Sequence, residues 1–386
     1  MTVQTEPEHP ADTPAVVVAA LRTPIGTAGR SLAGVDAAGL AAPVLRALAD
    51  AVPMVPVAEV VLGNCMGPGG NVARVAALTA GLAPEVPAFT VDRQCGSGLA
   101  AITTAAALVR QSPGLVLAGG AESVSTAPWR FWPPVDGGEP TRYERAPFAP
   151  AEVGDPDMGL AADLLALERA VSRERQDAYA ARSHARAHAT LTGGGFDDET
   201  VPVAGVTTDE RPRHGITADR LARLRPAFRD GGTVTAGNSC GVNDGAAAVA
   251  VVDAETYRRL GVPGLRILST ATSGVDPNRP GLGIVPAVRA ALGRARLTLD
   301  DIDVVELNEA FAGQVLACCD ELGLDPERVC PEGGALALGH PWGASGAVLV
   351  VRLFSQLVRA GRGEIGVAAI AVGGGQGVAM VVQRCR

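Results

Sequence analysis

Cys95 stands in Val91-Asp92-Arg93-Gln94-Cys95-Gly96-Ser97-Gly98-Leu99, an extended run broken by glycines and followed by a helical run to Arg110. That pattern predicts a tight strand-to-helix turn. There the helix N-terminus favours a thiolate, and its free N–H groups can hold a developing oxyanion. A lone Cys is more often a small buried hydrophobe, so a second chemical group has to shift the balance. The segment Gly333-Gly334-Ala335-Leu336-Ala337-Leu338-Gly339-His340-Pro341-Trp342-Gly343-Ala344-Ser345-Gly346 places one His between two glycine-rich bends, with Pro341 set to begin a helix. A frame of that kind fixes an imidazole for proton transfer or for donating to a thioester oxygen. In Glu306-Leu307-Asn308-Glu309-Ala310-Phe311 a strand ends in polar groups. Asn308 there could position a water or an oxyanion, and capping the next helix accounts for it equally well.

Two competing patterns carry less. Gly96-Ser97-Gly98-Leu99-Ala100-Ala101 satisfies the G-x-G-x-x-A dinucleotide fingerprint, with Glu122 following the strand Leu115-Val116-Leu117. That reading leaves Cys95 and His340 unexplained. His184 and His188 have the i, i+4 spacing of helical metal ligands, but no nearby acid or His completes a site, and an exposed helix face is expected. No metal is expected. The densest basic segment runs from Arg211-Pro212-Arg213-His214 through Arg220, Arg223 and Arg225.

Something must bring Cys95 and His340 together. Short β-branched runs alternate with Ala/Leu-rich amphipathic stretches: Val16-Val17-Val18, Ala37 to Asp50, Val60-Val61-Leu62, Arg74 to Gly81. This βα rhythm predicts parallel strands between helices, and it returns from Leu265-Arg266-Ile267-Leu268. Glu59-Val60-Val61-Leu62-Gly63-Asn64 can be laid on Asp303-Val304-Val305-Glu306-Leu307-Asn308, and in nearly the same register Cys95-Gly96-Ser97-Gly98 meets His340-Pro341-Trp342-Gly343. Two similar halves would then present a Cys and a His at matching positions. Between them, from about Glu122 to Asn238, a stretch rich in Pro and aromatics precedes a helix and the Arg-rich segment. It reads as an insertion covering the site.

Composition bounds the rest. The 386 residues are 47% hydrophobic but only 3% aromatic, with 48 Gly, so the core is built from small side chains that let backbones approach closely. The net charge of −8, with Arg as the sole strong base, argues against nucleic acid and acidic membranes as partners. Seven scattered cysteines without a Cys-x-x-Cys pair argue against a disulfide framework or structural zinc and fit a reducing, cytoplasmic setting. Residues 1–14 read as a loose polar tail rather than a signal peptide. The most apolar stretch, Gly366 to Val382, is interrupted by glycines and Gln376 and is too short to span a membrane.

From Val16 to Val382 the residues resemble the thiolase family. The resemblance rests on Cys95-Gly96-Ser97-Gly98, Gly237-Asn238-Ser239-Cys240-Gly241-Val242-Asn243-Asp244-Gly245-Ala246, Asn308-Glu309-Ala310-Phe311, Gly339-His340-Pro341 and Gly373-Gly374-Gly375, in that order. It implies an α/β fold with a duplicated five-layer αβαβα core and an inserted loop domain. The corresponding division is a tail at 1–14, a first half at 15–121 completed by 239–261, an inserted CoA-binding segment at 122–238 and a second half at 262–386. It also implies a homodimer or homotetramer acting on acyl-CoA thioesters, with no permanently bound cofactor. Cys95 would carry the acyl group and His340 would activate it. His340 with an Asn308-bound water would form one oxyanion hole, and the backbone N–H groups of Cys95 and Gly373 the other. Arg213 and Arg220 would meet the nucleotide end of CoA, Phe228 and Cys240 the pantetheine, and Met158 the thioester pocket, where Asp157 replaces a frequent His. Trp342 would restrict the acyl pocket, and the aromatics Trp129, Phe131, Trp132, Tyr143 and Phe148 would narrow an acyl tunnel or pack between subunits.

One departure bears on the chemistry. Such thiolases usually carry a second Cys two residues before the glycine run, to move the α-proton, and that position here is Ala371. Ala344 and Ser345 occupy the region where the alternative second thiol would follow the His-Pro motif. Three outcomes are open. Cys240 or another group reaches in and Claisen condensation or thiolysis survives; a malonyl-type donor supplies the enolate by losing CO₂; or the chain performs simple acyl transfer from Cys95. A silent scaffold subunit is the reading from outside enzymology.

Overall fold

The computed structural model describes residues 14–386, so all but the last residue of the expected tail lies outside the described residues. The first half runs β1 (Val16–Arg22), β2 (Gly26–Thr27), α1 (Ala37–Ala51), β3 (Val57–Gly63), α2 (Val72–Thr79), β4 (Ala88–Val91), α3 (Ser97–Gln111) and β5 (Leu115–Glu122). A long excursion follows, with β6 (Arg130–Trp132), β7 (Thr141–Tyr143), α4 (Met158–Glu168), α5 (Arg173–Thr192) and α6 (Ala218–Leu221). The chain then returns through β8 (Asn243–Val252) and α7 (Ala254–Leu260). The second half comprises β9 (Gly264–Gly274), α8 (Ile284–Ala295), β10 (Val304–Leu307), α9 (Ala312–Leu322), α10 (Ala335–Leu338), α11 (Trp342–Leu353), β11 (Ile365–Val372) and β12 (Gln376–Cys385).

Strand pairing repeats between the halves. The first orders as β1-β8-β5-β3-β4 and the second as β9-β12-β11-β10. In each, the late strand (β8 or β12) is antiparallel to its neighbours, while β3–β5 and β10–β11 are parallel. The sheets join where Val16 and Val17 meet Arg266 and Leu265, giving one continuous sheet rather than two separate ones.

The layers follow from the two-residue period of the strands. On β5, Leu115 and Leu117 face one way and pack with α1 and α2, while Val116 and Ala118 face the other and pack with α3 and α11. On β11, Val367 and Ala369 pack with α8 and α9, and Ala368 and Ile370 turn inward to α11. Helices α3 and α11 therefore form the middle layer of five. Because both their faces are covered, α11 is buried from Gly343 to Leu353. That explains why Gly, Ala and Val make up most of it.

A buried charge cluster ties the excursion to both halves. Arg22 at the end of β1 donates to Glu199 (2.7 Å) and forks onto Asp209 (2.7 and 2.8 Å). Arg352 on α11 pairs with the same Glu199 and with Glu332. Both guanidiniums lie over the Phe196 ring, that of Arg22 at 5.1 Å and that of Arg352 at 4.7 Å from its centre. Burying two arginines requires carboxylates of this kind beside them.

Candidate active site

The turn that carries Cys95 is locked by its own backbone. Gly96 N–H donates to Arg93 O (3.0 Å) and Ser97 N–H to Gln94 O (2.9 Å). The Ser97 hydroxyl bridges Arg93 N–H (2.7 Å) and Gln94 O (2.6 Å). Gln94 is held at φ +46°, a left-handed conformation that costs a non-glycine residue about 1 kcal/mol or more and recurs at elbows presenting a nucleophile. Gly96 lies against Val372, the residue before Gly373, so the thiol turn abuts the buried glycine run. Phe148, from the excursion, covers Gly373 and Gly374 on the other side.

His340 is fixed from two directions. Its backbone N–H donates to Asn243 Oδ1 (3.0 Å), and Asn243 in turn donates to Gly26 O (2.9 Å). The ring nitrogen Nδ1 lies 2.6 Å from Ser345 Oγ, one turn into α11, which leaves Nε2 as the ring nitrogen available to a reactant. The turns bearing Cys95 and His340 converge because α3 and α11 cross at two glycines. A Cβ on Gly346 would lie 2.5 Å from Leu99 N, and one on Gly98 would lie 2.9 Å from Ala347 N and Gly343 O. Only glycines permit that approach. Neither helix has a side-chain N-cap, Gly96 and Pro341 preceding their first residues, but the leading N–H groups of α11 are already engaged, Trp342 N–H by His340 O (3.0 Å) and Gly343 N–H by Glu122 Oε2 (3.0 Å).

Electrostatics corrects one expectation. Burial pushes the Cys95 thiol up to about 12, with Cys240, Glu122 and Asp92 acting in the same direction and only its own backbone N–H opposing. The helix N-terminus does not outweigh this, and the resting site holds a thiol. Burial alone pushes His340 down to about 4, so at neutral pH it is an uncharged imidazole, the form that accepts a proton. Cys95 remains only half-buried, with a path to solvent.

Asn308 is buried at the end of β10, its N–H donating to Ala369 O (2.9 Å). It does not cap α9, which starts at Ala312 after Phe311. Instead Asn308 lines a small cavity with Glu306, Ser345 and Arg352. The next residue, Glu309, accepts from Tyr179 (2.9 Å), Ser183 (2.6 Å) and Leu336 N–H (3.2 Å), anchoring this segment to α5 and α10.

The residues expected along the CoA path divide into two groups. Met158 opens α4, and the Phe228 ring packs against Gly159 and meets Phe311 edge-on at 6.0 Å. Cys240 is tied by its N–H to Ala310 O (2.9 Å), and its thiol is pushed up to about 12 by burial, against the pull of Arg211. These residues gather beside Asn308-Glu309-Ala310-Phe311. Arg213 and Arg220 are exposed at the surface, Arg220 donating to Gly215 O (2.7 Å). Ala371 pairs with Gly377 across β11–β12, and no thiol stands in its place there. The thiols whose charge would bear on Cys95 are Cys240 and Cys65, the latter 3.7 Å from Ser97 Oγ.

Several other readings are settled. Glu122 is a bracket rather than a ribose ligand, accepting from Cys65 N–H (3.1 Å), Met66 N–H (3.0 Å), Asn64 Nδ2 (3.0 Å) and Gly343 N–H (3.0 Å). His184 is buried rather than exposed, and burial beside Arg211 and Arg213 pushes it down to about 4. His188 is half-buried, 5.2 Å from His214 ring to ring. No cluster of metal-ligating side chains occurs among the described residues. On the β6–β7 hairpin Trp132 stacks on Tyr143 (4.6 Å) and Arg142 lies over Trp129 (4.5 Å), with Trp129, Phe131 and Trp132 facing solvent. Of the expected tunnel aromatics, only Phe148 reaches the glycine run. The sequence reading missed Glu306, Glu309 and the role of Ser345. Ser345, one helical turn beyond His340, was the detectable one.

Family models described as "Thiolase, N-terminal domain" and "Thiolase, C-terminal domain" match residues 15–255 and 262–384. An acetyl-CoA acetyltransferase of Pseudomonas aeruginosa is 43% identical, covering 96% of this chain and 99% of the relative. The crystal structure of the Bacillus anthracis acetyl-CoA acetyltransferase aligns with TM-score 0.89 at 38% identity, covering 97% of this chain and 99% of that one.

Proposed function

The chain belongs to the thiolase family, and from that premise we propose that it makes or breaks a carbon–carbon bond between CoA thioesters through an acyl group carried on Cys95. The carrying observation is the glycine crossing of α3 and α11, which sets a half-buried thiol and a buried, neutral imidazole at adjoining helix starts. With the thiol pushed up to about 12 and the imidazole down to about 4, a standing ion pair is unfavourable. Proton transfer from Cys95 to His340 Nε2 therefore accompanies formation of the sulfur–carbon bond rather than preceding it. The N–H groups of Cys95 and Gly373 receive one oxyanion, and His340 with a water on Asn308 receives the other. Met158, Phe228 and Cys240 line the pantetheine path, and Arg213 and Arg220 supply positive charge for the nucleotide end of an anionic substrate. CoA thioesters are substrates, and the chemistry draws on no metal or resident cofactor.

Ala371 favours a second reading, in which a malonyl-type donor supplies the enolate by decarboxylation. Incubating the enzyme with acetyl-CoA alone and with acetyl-CoA plus malonyl-CoA, while following CO₂ and 3-ketoacyl-CoA, separates them. Condensation of acetyl-CoA alone, reversed by CoA, supports the first reading. Product formed only with CO₂ release supports the second.

Strand β4, half-buried at one end of the continuous sheet, offers a free edge for pairing with a second copy. This supports a homodimer or homotetramer, which light scattering on the purified protein measures. Seven unpaired cysteines and the lack, among the described residues, of any helix long and apolar enough to cross a membrane support a cytoplasmic setting.

A further inference from the structure

Glu306 is a buried carboxyl that the reaction described above does not use. It lies on the inward face of β10 and accepts from Gln356 Nε2 (2.6 Å). The groups that face it are Arg352 of α11, Cys330 from the loop before α10, Gln356, and Glu309 beyond its own strand. Arg352 is engaged by Glu199 and Glu332 and is not spent on Glu306 alone. One side of Glu306 opens on a cavity of about 10 Å³, shared with Asn308, Arg352 and Ser345. The rest of its wall is glycine and apolar side chains, so these four residues are the side chains able to hold a water there, and the space has room for about one. Ser345 Oγ is the atom 2.6 Å from His340 Nδ1. His340 thus contacts Ser345, and Ser345 and Glu306 line the same cavity.

We propose that Glu306 receives, through Ser345 and a water in this cavity, the proton that Cys95 gives up on acylation, so that His340 changes from base to hydrogen-bond donor without remaining charged. This rests on the acyl-Cys95 reading. The atoms balance as follows. Before reaction Nδ1–H donates to Ser345 Oγ, and the Nε2 lone pair faces the thiol. As the Cys95 sulfur bonds to the acyl carbon, its proton passes to Nε2, and the carbon–sulfur bond to CoA breaks with its electron pair leaving on the CoA thiolate. The Nδ1 proton moves to Ser345 Oγ, the Ser345 proton moves to the water, and a water proton moves to the Glu306 carboxylate. The imidazole ends neutral with Nε2–H directed at the thioester oxygen. The reverse sequence returns the proton to Cys95 when the acyl group leaves.

Burial holds the Glu306 carboxyl up to about 7, where it can take and return a proton near neutral pH, whereas a buried imidazolium is disfavoured. Glu306 never touches substrate and acts through Ser345 and His340, which makes it a positioning residue for the proton. The arrangement also gives the site an internal proton store in a chain whose usual second thiol position is Ala371.

The test is the rate of Cys95 acylation by acetyl-CoA, measured by rapid quench and intact mass from about pH 5 to 9, in the wild type, Glu306→Gln, Glu306→Asp and Ser345→Ala. In the wild type the rate should fall as pH drops through about 7, because Glu306 must be a carboxylate to accept. A limb due to His340 would lie far lower, near 4. Glu306→Gln should acylate about tenfold or more slowly and lose the limb near 7, while Glu306→Asp should keep it. A Glu306→Gln enzyme with the wild-type rate and the same limb overturns the relay. Should that variant fail to fold, Ser345→Ala cuts the same path from α11, and a retained limb there overturns the relay equally. A wild-type Cys95 that takes no acyl group overturns the acyl-enzyme reading first and the relay with it.

Discussion

Replacing Gly346 with Ala should separate Cys95 from His340 without touching either. A Cβ at this position would lie 2.5 Å from Leu99 N and 2.8 Å from Leu99 Cβ, where ordinary contact begins at 3.4 Å. Both helices are enclosed by sheet on two faces, so the strain cannot be relieved by moving into solvent. The axes must part by about 1 Å, and overpacking of this kind costs about 1–3 kcal/mol. Because the crossing sets the spacing of the two helix starts, a displacement of that size should also lower the acylation rate of Cys95 by about 10²-fold. The assay pairs a thermal melt with quenched-flow mass measurement of acyl-Cys95. Gly293→Ala in α8 is the control, since a Cβ there meets nothing within 4 Å. It should leave the rate unchanged and stabilise by up to about 1 kcal/mol. A Gly346→Ala enzyme that melts lower yet acylates at the wild-type rate would refute the reasoning that the crossing positions the pair.

The remaining predictions test separate parts of the account. Arg22→Met should destabilise by about 3–5 kcal/mol in denaturant titrations, because it leaves Asp209 without a guanidinium in the interior and Glu199 with Arg352 and Ser355 alone. Arg352 and Arg22 hold Glu199 below the usual carboxylate range against its burial, so the stability this contributes is present above the unfolded value of 4.5 and lost as pH falls through the lower folded value. The Arg22→Met deficit should therefore shrink on acidification. Glu306 has the opposite sign: raised from 4.5 to about 7, it favours the fold fully below 4.5, and that contribution is lost as pH rises to about 7. Glu306→Gln should flatten the decline in melting temperature across that window. Ala371→Cys should raise thiolysis of a 3-ketoacyl-CoA by tenfold or more if the rest of the site is competent, since general acid–base help is worth about 10²–10⁴. No gain would mean that the site has diverged beyond one residue.

What was legible in the sequence had local physical causes. The β-branched runs, the glycine-broken turn at Cys95 and the bend at His340 are short-range signals, and the pairing order of the two halves follows the repeat that places Glu59–Asn64 on Asp303–Asn308. The family resemblance carried the fold class and the acyltransferase chemistry. Contacts between distant segments escaped the reading. Helix α5 looks like a solvated, Arg-rich helix, yet its buried face holds Gln176, Asp177, Tyr179, Ser183 and His184, whose neighbours come from elsewhere in the chain. For Cys95 a helix start suggests a thiolate, but the burial that pushes the thiol up, and the nearby Cys240 and Glu122, come from distant segments. Nor does any local pattern show that β1 and β9 join the two sheets.

The central claim is that Cys95 carries the acyl group, and the most direct measurement is the intact mass of the protein after mixing with acetyl-CoA and acid quench. The account predicts one added acetyl group per chain, mapped to Cys95 by digestion, together with stoichiometric free CoA, and no adduct in Cys95→Ala. An unmodified wild-type chain, or an acetyl group on Cys240 or Cys65 instead, would contradict it.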